Sequence, residues 1–198
     1  MHALYKSLGK QHSWIPAVLL CLLLIALSQT SFAQEWEWAP KFKVGDQFPP
    51  ISAPDQNGKQ RTLADLVGEK GVVLLLNRSF DWCPYCINQL KNLNEVAAQF
   101  EQLGFGIATM TYDPVSTLKE VEIDHGTGFP LLQDVDTQHF GALDILNKSY
   151  QPGDRAYGIP EPGIFILDPN GTILLKFAEE SYQIRPDFAD VLNAAAAI

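Results

Sequence analysis

Two cysteines three positions apart, in the run Trp82-Cys83-Pro84-Tyr85-Cys86, offer the most chemistry in this chain. A thiol pair at that spacing can cycle between dithiol and disulfide, one sulfur attacking and the other resolving the mixed disulfide. Closed permanently, the same pair would tie a very small ring and constrain the unfolded chain little. The spacing therefore favours reactivity over stapling. Zinc is the other chemistry open to two thiols, but a structural zinc site takes four ligands. Beyond residue 33 the chain has no third cysteine, and His125 and His139 fall on different expected elements. No metal and no cofactor are expected.

The pair needs a helix start to activate it. Val72-Val73-Leu74-Leu75-Leu76 is a continuous apolar run that suits a central strand covered on both faces. It ends at Asn77-Arg78 and a loop leading to Cys83. Pro84 then fits the first helical position, where a missing N–H costs nothing. Leu90, Leu93, Ala97 and Phe100 recur at helical spacing, and Gly104 stops the helix. Cys83 thus sits at a helix N-terminus, where unpaired N–H groups and the positive end of the dipole favour a thiolate below the free value of about 8.5. Cys86 lies one turn inside and more buried, which makes Cys83 the attacking and Cys86 the resolving thiol.

Around this unit the pattern gives a hairpin at Asn57-Gly58 and a short helix capped by Thr62. A second buried strand runs over 105–110, a helix over 114–125 and a short helix over 138–143. Ile164-Phe165-Ile166-Leu167, the turn Asp168-Pro169-Asn170-Gly171 and residues 172–177 form a closing hairpin, and a last helix covers 186–197. Strand–helix alternation predicts parallel strands joined by right-handed crossovers, with the final hairpin adding an antiparallel edge.

From about residue 44 to 197 the chain resembles the thioredoxin-like redoxins of the AhpC/TSA (thiol-specific antioxidant) group. The segments that carry the likeness are 73–86 and Gly163 to Gly171. The resemblance implies an α/β thioredoxin fold, a central mixed sheet flanked by helices, here with an N-terminal β-hairpin extension. It also implies thiol–disulfide or thiol-peroxidase activity. It places a cis-proline opposite the cysteines at Pro162, with Pro160 as the rival position and Glu161 between them. Where thioredoxins carry a buried aspartate that accepts a proton, this chain has Asn77. An amide cannot act as a base, so Glu161 becomes the candidate acceptor. Peroxiredoxins carry a Thr three residues and a Pro seven residues before their reactive cysteine; here those positions are Phe80 and Leu76. Their arginine ahead of the later strand is replaced by Glu161-Pro162, with Arg78 or Arg155 available to substitute in space. Trp82 is expected as a platform beside the thiol, Asp81 as a loop cap and Tyr85 on the exposed first turn. Cys-Pro-Tyr-Cys is also the glutaredoxin sequence, which leaves glutathione exchange open.

The first 33 residues read as a signal peptide, with Lys6 and Lys10 followed by an apolar run from Ile15 to Leu27 and Ser31-Phe32-Ala33 before the cut. An uncleaved anchor is the alternative, although the run is shorter than the roughly 20 residues that span a bilayer. Cleavage removes Cys21, Lys6 and Lys10 and no acidic residue, leaving 12 basic against 23 acidic residues and a net charge of −11. So acidic a chain excludes nucleic acid as a partner. Residues 34–43 read as a tether, with packing on the domain, contact with the membrane surface and a loose state all open to Trp36 and Trp38, and 44–198 as the redoxin domain. Export places the protein in the periplasm or another extracytoplasmic space, where disulfides persist. The membrane then enters only through an uncleaved N-terminal segment. Three functions follow: a thiol–disulfide oxidoreductase acting on protein disulfides or fed by a membrane thiol donor, a peroxide-reducing thiol peroxidase, and a metal or assembly chaperone using the thiols as soft ligands.

Overall fold

The computed structural model describes residues 36–198. The expected signal peptide, Cys21 and the first two tether positions lie outside the described residues.

The hairpin forms where Asn57-Gly58 calls for it. Strand β1 (Ser52–Pro54) pairs antiparallel with β2 (Gln60–Thr62). Asp55 holds the turn, accepting from the N–H groups of Asn57 (2.8 Å) and Lys59 (3.0 Å) and from Arg61 Nε (2.7 Å). Thr62 and Asp65 cap a single 3-10 turn at Leu63–Asp65.

The main sheet has five strands in the order Leu131–Gln133, Phe105–Thr111, Gly71–Leu76, Gly163–Leu167 and Ile173–Ala178. Strand β3 (Gly71–Leu76) lies in the middle and is buried along its whole length, as an unbroken apolar run requires. Helix α1 (Pro84–Gln102) follows the cysteine loop, and Gly104, at φ 91°, turns the chain out of it. Strand β4 (Phe105–Thr111) returns parallel to β3. Then come α2 (Val115–His125), β5 (Leu131–Gln133), α3 (Gln138–Ala142), β6 (Gly163–Leu167), β7 (Ile173–Ala178) and α4 (Phe188–Ala196).

Alternation along β3 divides the core into two layers. Val73 and Leu75 join Leu90, Leu93, Phe100, Leu118, Phe188 and Val191 beneath α1, α2 and α4. Val72, Leu74 and Leu76 face Trp38, Phe48, Phe140 and Phe165 on the opposite side. Cys83 and Cys86 belong to the first layer.

The structure corrects three expectations. Strand β5 was not expected; at three residues it is too short to show a period. Strand β6 runs antiparallel to β3, not parallel by crossover, with Gly163 opposite Leu76. The chain between α3 and β6 therefore re-enters the sheet at the end where β3 exits, and delivers Glu161-Pro162 next to Asn77. Finally, the tether ends earlier than residue 43. Trp38 is 5 % exposed, stacks on Phe165 at 4.6 Å between ring centroids, and donates from Nε1 to the Glu161 carbonyl at 2.9 Å. Gly163 is required beneath it, because a Cβ there would overlap the indole. Lys176 Nζ fixes the same stretch through Glu37 (2.8 Å) and the Trp38 carbonyl (2.9 Å).

Candidate active site

Cys83 is the N-cap of α1 and Pro84 its first helical residue. Both thiols are free, and Cys86 Sγ donates to Cys83 Sγ at 2.9 Å. That hydrogen bond, helped by the Cys86 backbone N–H and by the charges of Arg78 and Arg185, holds the Cys83 thiol down at about 6, against the pull of burial. Cys86 moves the other way: it keeps its proton because it donates to Cys83, because it is buried and because a second negative charge beside the first is unfavourable. The pair therefore shares one proton and carries one negative charge, on the outer sulfur.

Cys86 is fully buried, as its place in the helix implies, but Cys83 is only 2 % exposed. The loop ahead of α1 and the segment between β7 and α4 both border the pair. Tyr182 on that segment meets Tyr85 edge-on at 5.9 Å and lies under the Arg78 guanidinium at 3.9 Å. Arg185 donates from Nη2 to Cys86 Sγ at 3.6 Å and from Nε to the buried Gln89 at 3.1 Å. Tyr182 and Arg185 escape a reading of the sequence: they lie about 100 residues from the cysteines, in a stretch with no periodicity.

Arg78 is 4 % exposed. Its Nη2 donates to Tyr150 Oη at 3.2 Å, and its guanidinium lies 5.3 Å from the Trp82 ring centre. Among the described residues no carboxylate comes within ion-pair distance of it. A buried cation needs negative charge nearby, and the Arg78 guanidinium acts on both the Cys83 thiolate and the Glu161 carboxyl. Arg155 instead pairs with Asp81 at 3.0 Å on an exposed rim, where such a pair is worth little. Trp82 donates from Nε1 to Tyr112 Oη at 2.9 Å and packs against the core layer that holds both cysteines.

The loop before Cys83 hangs on Asp113, another residue the sequence did not mark. Its buried carboxylate accepts from Ser79 Oγ (2.8 Å), the Phe80 N–H (2.6 Å) and Thr111 Oγ1 (2.9 Å). Burial raises its pKa even so, and these three donors oppose the rise. Asn77 is fully buried at the end of β3, and among the described residues neither end of its carboxamide finds a partner. Glu161 is half-buried; burial raises its pKa and Arg78 opposes the rise.

The cis-proline expectation is corrected. Among the described residues every peptide bond is trans, those before Pro160 and Pro162 included. The main chain here is already committed within the fold. The Glu161 N–H donates to the Ile145 carbonyl at 2.7 Å, its own carbonyl accepts from Trp38, and Pro160 bridges to Leu146. With these groups paired, nothing offsets the ordinary trans preference of an X–Pro bond.

A match to the AhpC/TSA family runs over residues 44–176. The chain belongs to the AhpC/TSA family. Thiol-disulfide oxidoreductase ResA of Geobacillus thermodenitrificans is similar to it at 29 % identity over 158 residues, 79 % of this chain and 81 % of that protein. The 1-Cys peroxiredoxin PER1 of Hordeum vulgare is 25 % identical over 145 residues, 70 % of this chain and 65 % of that protein. Among solved structures, peroxidoxin BcpB from Mycobacterium tuberculosis matches with a TM-score of 0.67 at 22 % identity, covering 79 % of this chain and 98 % of the other. That likeness shows the fold: this AhpC/TSA protein has the thioredoxin architecture of a central mixed sheet flanked by helices.

Proposed function

We propose that this AhpC/TSA protein is a thiol–disulfide oxidoreductase that works outside the cytoplasm, with Cys83 attacking and Cys86 resolving. One observation carries the reading: a resolving thiol donates to a thiolate at the N-cap of a helix, over 2.9 Å. In the first step the Cys83 thiolate attacks one sulfur of a substrate disulfide. The substrate S–S bond breaks, and its other sulfur leaves as a thiolate that takes a proton from solvent. In the second step Cys86 gives up its proton and attacks the Cys83 sulfur, and the substrate's second thiolate departs. The substrate gains two electrons and the dithiol becomes a disulfide. A thiol electron donor, membrane-bound or soluble, returns the pair to the reduced state. Asn77 cannot take the Cys86 proton. Glu161 is assigned that role, which a pKa raised by burial suits.

The charges of Arg78 and Arg185 both favour the Cys83 thiolate, and their presence favours a second reading, peroxide reduction. Their charge would stabilise the thiolate and the leaving oxygen alike. Against it stand Phe80 and Glu161, at positions where a Thr and an Arg assist peroxide chemistry in peroxiredoxins. Insulin reduction with a dithiol donor decides the first reading: turnover above background that is lost in Cys83→Ser supports it, and equal rates for the two proteins refute it. Stopped-flow consumption of hydrogen peroxide no faster than that of free cysteine removes the second.

A further inference from the structure

A groove of about 730 Å³ opens beside the dithiol and runs along the outer side of α1. Tyr85, between the two cysteines, stands at one end. From there Asn88, Asn92, Glu95 and Gln99 follow at intervals of four, three and four residues, which stacks them on one helix face. The opposite wall is the segment from Gln183 to Ala189. Asn88, Asn92 and Gln99 are exposed, and among the described residues their side-chain carboxamides hydrogen-bond to no partner. At about 1.5 Å per helical residue, Tyr85 to Gln99 spans about 21 Å. An extended chain at about 3.3 Å per residue would lay about six residues along it.

A carboxamide offers a donor and an acceptor together, which is also what each peptide group of an extended chain offers. A row of uncommitted carboxamides is therefore complementary to polypeptide backbone without regard to its sequence. Positive charge plays little part, since Glu95 and Asp187 share the lining with Arg185. The groove is also joined to the chemistry: Arg185 lines it and touches Cys86 Sγ.

We propose that this groove holds the extended polypeptide segment flanking the substrate's disulfide cysteine, so that the enzyme selects protein or peptide disulfides over small ones. The proposal rests on the thiol–disulfide reading above. It deepens that reading by naming the substrate class and the residues that recognise it.

The test compares two substrates: a disulfide-linked dimer of a peptide of about twelve residues, and 2-hydroxyethyl disulfide. The wild-type protein is expected to show kcat/KM about tenfold higher on the peptide. Asn92→Ala combined with Gln99→Ala removes two carboxamides at exposed positions. It should lose about tenfold on the peptide, through KM, and stay within about twofold on the small disulfide. Ala189→Trp, which fills the opposite wall, should do the same. Circular dichroism and melting temperature establish that the variants fold. Variants that keep wild-type kcat/KM on the peptide overturn the groove, and so does equal loss on both substrates. A wild-type protein that reduces both substrates equally well overturns it as well, while disulfide exchange stands. A wild-type protein that reduces neither takes the exchange reading down first, and the groove with it.

Discussion

The division of labour between two chemically identical side chains rests on where one proton sits. Cys86 holds it and donates it to Cys83, so the outer sulfur is charged at about pH 6 and above. A depressed pKa means that the reactive thiolate is present at neutral pH and is lost as pH falls through that value. Alkylation by iodoacetamide should therefore inflect near pH 6, and Cys83→Ser should abolish reaction at neutral pH, because Cys86 is fully buried. An inflection near the free-thiol value of about 8.5 would mean that the helix start does not activate the sulfur. Arg78 and Arg185 contribute their charge to the same balance. Arg78→Met or Arg185→Met should move the inflection upward, and a loss of one unit cuts the thiolate fraction at pH 5 about tenfold. Arg185→Lys should keep most of the effect, since it keeps the charge and loses only the fork of donors. A profile that none of the three variants moves would assign the low pKa to the Cys86 hydrogen bond and the helix alone.

Among the elements, the strand–loop–helix unit from Gly71 to Gln102 is what makes the thiol pair a site, and it is also the part most visible in the sequence. An unbroken apolar run, two cysteines three apart and a proline between them leave little freedom locally. The pieces that complete the site come from distant loops and obey no period. Tyr182 and Arg185 lie in an irregular segment, and β5 is too short for alternation to appear. The antiparallel entry of β6 depends on which end of the sheet the chain returns to, a tertiary choice that no local pattern encodes. The missing cis bond has a similar origin, because Trp38 and Ile145 commit the backbone around Glu161. Asp113 shows how such a distant piece is tested. Its carboxylate collects the Ser79 hydroxyl, the Phe80 N–H and the Thr111 hydroxyl, and so ties the cysteine loop to the end of β4. Asp113→Ala strands three buried donors and should cost about 3–5 kcal/mol by urea unfolding, with insulin turnover falling alongside. Asp113→Asn keeps the shape and two acceptor sites, so its cost should be smaller. If the alanine variant unfolds at the wild-type urea midpoint, the loop is held by something else.

For the molecule as a whole, the N-terminal residues decide how the active face is backed. A cut after Ala33 would leave Trp38 in the mature chain, and this indole closes the second core layer. It stacks on Phe165, sits over Gly163 and donates to the Glu161 carbonyl, so it buttresses from behind the same short stretch that presents Glu161 beside Arg78. Removing it should therefore act on both stability and chemistry. Trp38→Ala deletes a buried aromatic and orphans a carbonyl, a loss of about 3–5 kcal/mol that should lower the melting temperature by about 10 °C. If Glu161 is the proton acceptor for Cys86, the variant should also slow resolution of the mixed disulfide, read at a temperature where it remains folded. It should leave the alkylation inflection of Cys83 unchanged, because neither Trp38 nor Glu161 is among the groups that set it. A Trp38→Phe variant separates the two roles, keeping most of the stacking while losing the hydrogen bond. Slow resolution in both variants would tie the indole N–H to the placement of Glu161. Wild-type resolution in both, with only the melting temperature lowered in the alanine variant, would make residues 37–39 a structural clasp and move the proton acceptor elsewhere.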